Sequence, residues 1–203
     1  MLAICCLDKS MQISIFSQLI YHIDLLSFFI MDKQKLVNML KQCGAIQFGH
    51  FVLTSGAVSE YYIDIKKAST NAKTLKAIAE EMASYTKEYD LLAGMELGAV
   101  PLVVALSLET TIPYVIVRKE KRSHGTGKQI EGETVENKKV LIIEDVTTSG
   151  GSVLKTINAL RTNKAQVDRV LVVVDRESGA KEKIQKVNVD FMPLLTVSDI
   201  LER

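Results

Sequence analysis

Four apolar runs rich in β-branched residues constrain the fold of this chain more than any other feature. They are DLLAGM, PYVIVRK, KVLIIED and RVLVVVDRE, which begin at Asp90, Pro113, Lys139 and Arg169. Because their apolar residues are continuous instead of alternating with polar ones, the runs are typical of strands covered on both faces. Amphipathic segments such as GSVLKTINALRTN (151–163) separate or follow them. The sequence therefore predicts an α/β fold with a central, mostly parallel sheet flanked by helices.

The chain before these runs has a different pattern. Residues 32–44 and 71–89 show the apolar spacing of helices, and FVLTSG (51–56) and YYIDI (61–65) between them predict a short hairpin. No repeat or Pro/Gly-rich linker divides the sequence. Since 203 residues that are 47% hydrophobic can bury one sizeable core, one domain is expected rather than two.

The first thirty residues are strongly apolar, but ionisable side chains interrupt them. No apolar run approaches the ~20 residues that a bilayer span needs, and the charge and cleavage pattern of a signal peptide is missing. We expect an extension over 1–30 of uncertain role and a functional domain over 31–203. An amphipathic helix that packs on the domain or on a partner subunit is the alternative for the extension.

Charge and cysteine content limit the possible partners and location. The 25 basic and 24 acidic residues leave a net charge of +1, which favours neither a nucleic acid nor a membrane surface. Any anion site must then be local. Cys5, Cys6 and Cys43 lack metal-binding spacing and predict reduced thiols in a cytoplasmic protein.

The stretch IIEDVTTSGGS (142–152) combines three kinds of chemistry. A buried strand ends in two carboxylates, and a short loop of hydroxyls and glycines leads into a helix. Backbone N–H groups near glycines, hydroxyl donors and the positive end of a helix dipole favour a phosphate dianion. The carboxylates would repel that phosphate and favour sugar hydroxyls or a metal. The stretch predicts a ribose 5-phosphate site formed by Glu144, Asp145, Val146, Thr147, Thr148, Ser149, Gly150, Gly151 and Ser152.

An ordinary turn between strand and helix, with two solvated acids, is the alternative interpretation of this stretch. Two other nucleotide motifs are not supported. No lysine follows Gly151 as it would in a P-loop, and GTGKQI (125–130) does not complete the glycine pattern of a dinucleotide site.

Four segments of the chain, which occur in the order expected for one enzyme family, resemble parts of known enzymes. FGHFVLTSGAVSEYYID (48–64), RKEKRSHGTGK (118–128) and DRESG (175–179) resemble the amino-terminal substrate hairpin, the mobile catalytic loop and the orotate-contacting strand end of orotate phosphoribosyltransferases. VLIIEDVTTSGGS (140–152) resembles the signature for phosphoribosyl diphosphate (PRPP) of the wider type I phosphoribosyltransferase family. The resemblance extends over about 31–203.

The resemblance implies a type I phosphoribosyltransferase fold with a small amino-terminal substrate hood. It implies transfer of the phosphoribosyl group of PRPP to orotate, giving orotidine 5'-monophosphate and diphosphate in pyrimidine biosynthesis. Mg²⁺ is expected on PRPP and not in a protein metal site. A homodimer whose catalytic loop reaches the neighbouring subunit is also implied, with neither nucleic acid nor membrane as a partner.

The basic segment 118–128, which we call the lid, has a chemical reason to lie near a diphosphate. It contains five lysines and arginines against one glutamate, beside two glycines. Cations placed there would stabilise the charge that grows on the leaving diphosphate. By resemblance, Arg118, Lys119, Arg122 and His124 bind PRPP, and the last three are catalytic. A solvated basic loop is the alternative.

Base recognition is assigned by the same resemblance to Thr148 and Arg176. A guanidinium suits the orotate carboxylate because it can bond both oxygens. Arg176 could instead be a structural partner of Asp175 or Glu177. Tyr62 and Ile63 are expected near the plane of the base.

Three positions depart from the family pattern. Thr54 in the hairpin occurs where lysine is common, so that direct lysine contact is absent. Glu96 in GMELGAVP (94–101) occurs in a loop that often carries a lysine, and backbone amides around Gly98 could contact the diphosphate there instead. Arg122 also occurs where lysine is usual. Because arginine is a poor proton donor, His124 becomes the better candidate for a general acid.

Two other functions are compatible with parts of the sequence. A purine phosphoribosyltransferase shares the acidic loop but would lack the hairpin and Arg176. A PRPP-sensing regulator on the same fold would usually carry a nucleic-acid reader, and the first thirty residues offer no basic recognition helix.

Overall fold

A six-stranded sheet lies at the centre of the protein. The computed structural model describes residues 33–52, 58–120 and 128–201. In spatial order, the strands are Ile130–Gly132 (β5), Tyr114–Val117 (β4), Leu91–Met95 (β3), Lys139–Thr147 (β6), Gln166–Asp175 (β7) and Asp190–Thr196 (β8). Neighbouring strands are parallel except for β5, which pairs antiparallel with β4. The predicted mostly parallel sheet is therefore confirmed.

Helices cover both faces of this sheet. In the described residues they are Lys33–Gln42 (α1), Ile65–Ser69 (α2), Ala72–Ala83 (α3), Val100–Thr110 (α4), Gly151–Thr162 (α5), Ala180–Gln185 (α6) and Val197–Leu201 (α7). On one face, Ile142 of β6 shares a buried cluster with Val153 and Ile157 of α5. On the other, α4 lies so close to β3 that a methyl group on Gly94 would meet Val103 at 2.8 Å. Burial on both faces explains why the strand sequences are continuously apolar.

A separate two-stranded hairpin precedes the sheet, and we call it the hood. Ile46–Val52 (β1) pairs antiparallel with Val58–Ile63 (β2), with an irregular register between Phe48 and Phe51. The first strand begins five residues earlier than the sequence predicted, because Gly49 interrupts the apolar pattern at the irregularity. The second strand ends before Asp64, whose side chain accepts a hydrogen bond from the N–H of Lys66 and caps α2.

Three predicted segments fall outside the described residues. They are the extension over 1–30, the tip of the hairpin that contains Thr54, and residues 121–127 of the lid. The domain boundary at Met31 therefore stays a prediction. Within the part of the chain that the structure describes, no helix is long and apolar enough to span a membrane.

Candidate active site

The carboxyl ends of four parallel strands lie at one edge of the sheet. Gly94 of β3 pairs with Ile116 of β4 and with Ile143 of β6, and Thr147 of β6 pairs with Asp175 of β7. The segments that follow these strands therefore meet at one end of the sheet, where open α/β sheets bind their ligands. These segments, together with the last residues of β6, contain the predicted site residues that the structure describes.

The phosphate loop, residues 147–152, turns from β6 into α5. Gly150 precedes the helix with a φ of 76°, and a side chain there would meet the Cα atom of Ala180 at 3.3 Å. Both the backbone conformation and the available space favour glycine. No side chain caps the start of α5. Its first N–H groups can therefore be satisfied by a bound anion, which the helix dipole also favours.

The hydroxyl groups of the phosphate loop fall into two classes. Thr148 and Ser149 are exposed and can reach a ligand. Thr147 is buried, and its Oγ1 donates to Oδ1 of Asp175 at 2.9 Å. The hydroxyl of Ser152 donates to Glu144. The hydroxyls of Thr147 and Ser152 therefore link parts of the protein to one another.

Glu144 is a buried carboxyl group with protein partners on both oxygens. It is 5% exposed. Its Oε2 accepts a hydrogen bond from Oγ of Ser152 at 2.9 Å, and its Oε1 accepts one from the N–H of Asp145 at 3.2 Å. Burial and, secondly, the neighbouring Asp145 carboxylate raise the pKa of Glu144 to about 8, against a smaller opposing effect of Ser152. Burial and the acidic neighbour therefore favour the protonated form of Glu144.

Asp145 differs from Glu144 because it is only partly buried. Its carboxylate lies against the backbone of Gly98, where an added methyl group would overlap it. The charge of Asp145 also acts on Lys66. Burial lowers the pKa of Lys66, but the hydrogen bond and charge of Asp64, helped by Asp145, raise it above its usual value. Asp145 thus lies between the loop after β3 and a cation at the start of α2.

The start of the lid is tied to the loop after β3. The N–H of Lys119 donates to Oε1 of Glu96 at 2.9 Å. The guanidinium of Arg118 lies between two carboxylates, 3.9 Å from Glu96 and 3.5 Å from Glu131. Glu96 therefore contacts the first two residues of the lid. Arg122 and His124 lie outside the described residues, and their predicted roles stay predictions.

Arg176 follows β7 and faces the hood. Its guanidinium carbon is 5.7 Å from the centre of the Tyr61 ring. The two residues offered as its structural partners bond elsewhere, since Asp175 accepts from Thr147 and Glu177 accepts from Ser198. Among the described residues, the Arg176 side chain makes no ion pair with either acid. It can therefore bind a ligand.

The comparisons with known proteins identify the family. The model of the phosphoribosyl transferase domain matches residues 64–193. An orotate phosphoribosyltransferase of Methanocaldococcus jannaschii is 52% identical over 84% of this chain and 98% of its own length. The chain belongs to the orotate phosphoribosyltransferases. Relatives at such identity do not favour a purine enzyme or a regulator.

Solved members of this family have the same fold. The orotate phosphoribosyltransferase of Aeropyrum pernix has a TM-score of 0.75 and 32% identity, covering 82% of this chain and 96% of its own. That of Mycobacterium tuberculosis H37Rv in complex with PRPP has a TM-score of 0.70 and 28% identity, covering 83% of this chain and 98% of its own.

Sequence reasoning missed the contacts of three residues at this end of the sheet. Tyr61 lies within the second hood strand, Lys66 follows that strand in α2, and Glu96 contacts the lid. The spacing of Asp64 and Lys66 after a strand was a usable signal, because an N-cap there places the lysine in the first turn of a helix. The other contacts join segments distant in sequence, so no local pattern reports them.

Proposed function

We propose that this enzyme transfers the phosphoribosyl group of PRPP to orotate, giving orotidine 5'-monophosphate and diphosphate. The observation that carries the proposal is the grouping of three binding chemistries at one end of the sheet. They are the uncapped start of α5 for a phosphate, the partly exposed Asp145 for sugar hydroxyls, and Arg176 for a carboxylate. The relatives named orotate phosphoribosyltransferase support the same substrates.

In this proposal the two carboxyl groups take unequal parts in holding the ribose. Asp145 would accept hydrogen bonds from the vicinal hydroxyls, because it is partly exposed beside the phosphate loop. Glu144 contributes mainly by fixing Ser152 at the start of α5, and it would have to release that hydroxyl to reach the sugar itself. The phosphate of the ribose would bind the N–H groups of Gly151 and Ser152 and the exposed hydroxyls of the loop.

The lid would act on the diphosphate. Lys119 is exposed next to Glu96, at the root of the lid. Lys119, Arg122 and His124 would stabilise the charge that develops on the diphosphate as its bond to an oxocarbenium-like sugar breaks. Arg118 would need to exchange its contacts with Glu96 and Glu131 to bind PRPP. His124 would be the proton donor if the reaction needs one.

Magnesium belongs to this proposal as an ion carried by PRPP. Among the described residues, no group of three or more histidine, cysteine, aspartate or glutamate side chains is placed to hold a metal. Mg²⁺ often binds through one or two carboxylates together with substrate phosphates, and the partly exposed Asp145 fits such a supporting role. When bound, the ion would neutralise charge on the diphosphate.

A homodimer located in the cytoplasm completes the proposal, with at least one lid residue acting on the neighbouring subunit. A mixing experiment tests the shared lid. A Lys119→Ala protein and an Asp145→Asn protein should recover part of the activity when heterodimers form, because one site then combines an intact lid with an intact Asp145. Verified heterodimers without recovery would mean that the lid serves its own subunit.

The reaction itself is tested by following orotate absorbance after PRPP and Mg²⁺ are added. We expect loss of orotate but little reaction with uracil, which lacks the carboxylate. Arg176→Ala should raise the KM of orotate, since a charge-assisted hydrogen bond contributes ~1.5 to 3 kcal/mol. Arg176→Lys is the matched variant that keeps the charge but loses the two-pronged geometry. Consumption of a purine base in place of orotate would contradict the proposal.

A further inference from the structure

The backbone around Arg176 is fixed on both sides. Its N–H donates to the carbonyl oxygen of Thr147 at 2.9 Å, and its own carbonyl accepts from the hydroxyl of Ser178 at 3.1 Å. The side chain of Glu177 accepts bonds from both the N–H and the hydroxyl of Ser198. The start of the Arg176 side chain is therefore held in place by β6 and α7.

The guanidinium at the other end is positioned by Tyr61. At 5.7 Å from the ring centre, the separation lies within the roughly 6 Å range of cation–π contacts. Within the described part of the chain, no hydrogen bond or ion pair holds the Arg176 side chain, so this ring contact is what orients it. A guanidinium on a ring face keeps the N–H groups at its edge free to bond a carboxylate.

Tyr61 is itself held by the hood. The hydroxyl of Ser59 donates to its carbonyl oxygen at 2.7 Å, and Tyr61 pairs with Phe48 across the hairpin. Successive residues of a strand point to opposite faces, so Tyr62 cannot share this orientation. Its ring instead packs 5.6 Å from that of Phe51. Of the two adjacent tyrosines, the sequence alone favoured Tyr62 as the one near the base.

We infer that Tyr61 is a positioning residue for base selectivity, which holds the Arg176 guanidinium in the orientation that bonds the carboxylate of orotate. The inference rests on the proposed function, because it assumes that Arg176 binds that carboxylate. The hood and the end of β7 would then act together in choosing the base. Loss of the ring should affect orotate more than PRPP or uracil, since neither depends on the guanidinium orientation.

The experiment measures kcat and KM for orotate, uracil and PRPP in a set of variants. Tyr61→Leu should raise the KM of orotate roughly 3- to 10-fold and lower the preference for orotate over uracil by a similar factor, as expected for a cation–π contact of moderate strength. Tyr61→Phe keeps the ring face and should stay close to the parent. Tyr61→Gln is a second ringless variant in case the leucine protein does not fold. Tyr85→Leu removes a ring outside the hood as the matched control.

The double variant Tyr61→Leu/Arg176→Ala separates the inference from the proposed function. If Arg176→Ala raises the KM of orotate strongly and Tyr61→Leu adds little to it, the two residues act as one unit and the inference is supported. If Arg176→Ala is effective but the ringless Tyr61 variants match Tyr85→Leu, the inference is wrong while the proposed function stands. If Arg176→Ala leaves orotate and uracil kinetics unchanged, the role of Arg176 in the proposed function is itself wrong.

Discussion

Replacing Glu144 by glutamine should change how the stability of this protein depends on pH. Glutamine has the shape of a protonated glutamate and can keep both contacts, accepting from the Asp145 N–H and donating to Ser152. The folded parent binds a proton at Glu144 up to a pKa of about 8, whereas the unfolded chain releases it near 4.5. Between these values the folded state holds the extra proton, so the free energy of unfolding falls as pH rises.

The size of the effect follows from the two pKa values. Each pH unit between the two pKa values changes the free energy of unfolding by about 1.4 kcal/mol. From pH 5 to pH 7 the Glu144 contribution should lower the free energy of unfolding by an amount on the order of 2 kcal/mol, given a folded pKa of about 8 and an ordinary value of 4.5. The loss should level off above pH 8, where the carboxyl group ionises in both states. Glu144→Gln removes this term, so the variant should gain stability relative to the parent as pH rises.

Denaturant unfolding at pH 5, 6, 7 and 8 measures the difference directly. Glu133→Gln, which replaces an exposed glutamate, is the matched control, and its curve should run parallel to that of the parent. A Glu144→Gln curve that also runs parallel to the parent would refute the reasoning. It would mean that Glu144 ionises alike in both states, despite its burial and its acidic neighbour.

Three further variants test the site and the chain boundary. Gly98→Ala should raise the KM of PRPP, because its methyl group would displace the Asp145 carboxylate. A displacement near 1 Å can cost ~10²-fold in rate. Unchanged PRPP kinetics would contradict the contact between Gly98 and Asp145. Lys119→Ala should lower kcat by ~10²-fold with little change in PRPP affinity, whereas Lys128→Ala should have a small effect on kcat. Equal effects of the two variants on kcat would indicate that only the total positive charge of the lid matters. A chain that begins at Met31 should keep full activity, and a large loss would show that the extension is structural.

The strands and helices that the sequence predicted well are those whose pattern is local. The runs that became β3, β6 and β7 are apolar throughout because helices cover both faces, and the loop after β6 has its own glycine and hydroxyl signature. Helix α4 was missed because its sequence VPLVVALSLET is apolar on nearly every side and shows little helical periodicity. The strand β8 was missed because Pro193 interrupts it.

The site was predictable to the extent that chemistry is encoded in neighbouring residues. Two acids followed by hydroxyls and glycines indicated a phosphate beside a sugar, and this stretch together with three other segments carried the resemblance to the family. Contacts between distant segments were not predictable, such as those of Glu96 with Lys119 and of Tyr61 with Arg176. They depend on how the hood and the loop after β3 pack, and sequence spacing carries no information on that.

The unequal burial of Glu144 and Asp145 bears on the charge repulsion expected where two adjacent acids lie beside a phosphate site. Two ionised carboxylates beside a phosphate site would repel both each other and the phosphate. Because Glu144 is buried beside Asp145, its pKa is raised in spite of the hydrogen bond from Ser152, and this favours a pair that carries less negative charge than two ionised carboxylates. The Ser152 hydroxyl links Glu144 to the first turn of α5. The exposed member of the pair, Asp145, remains the one that can reach a sugar.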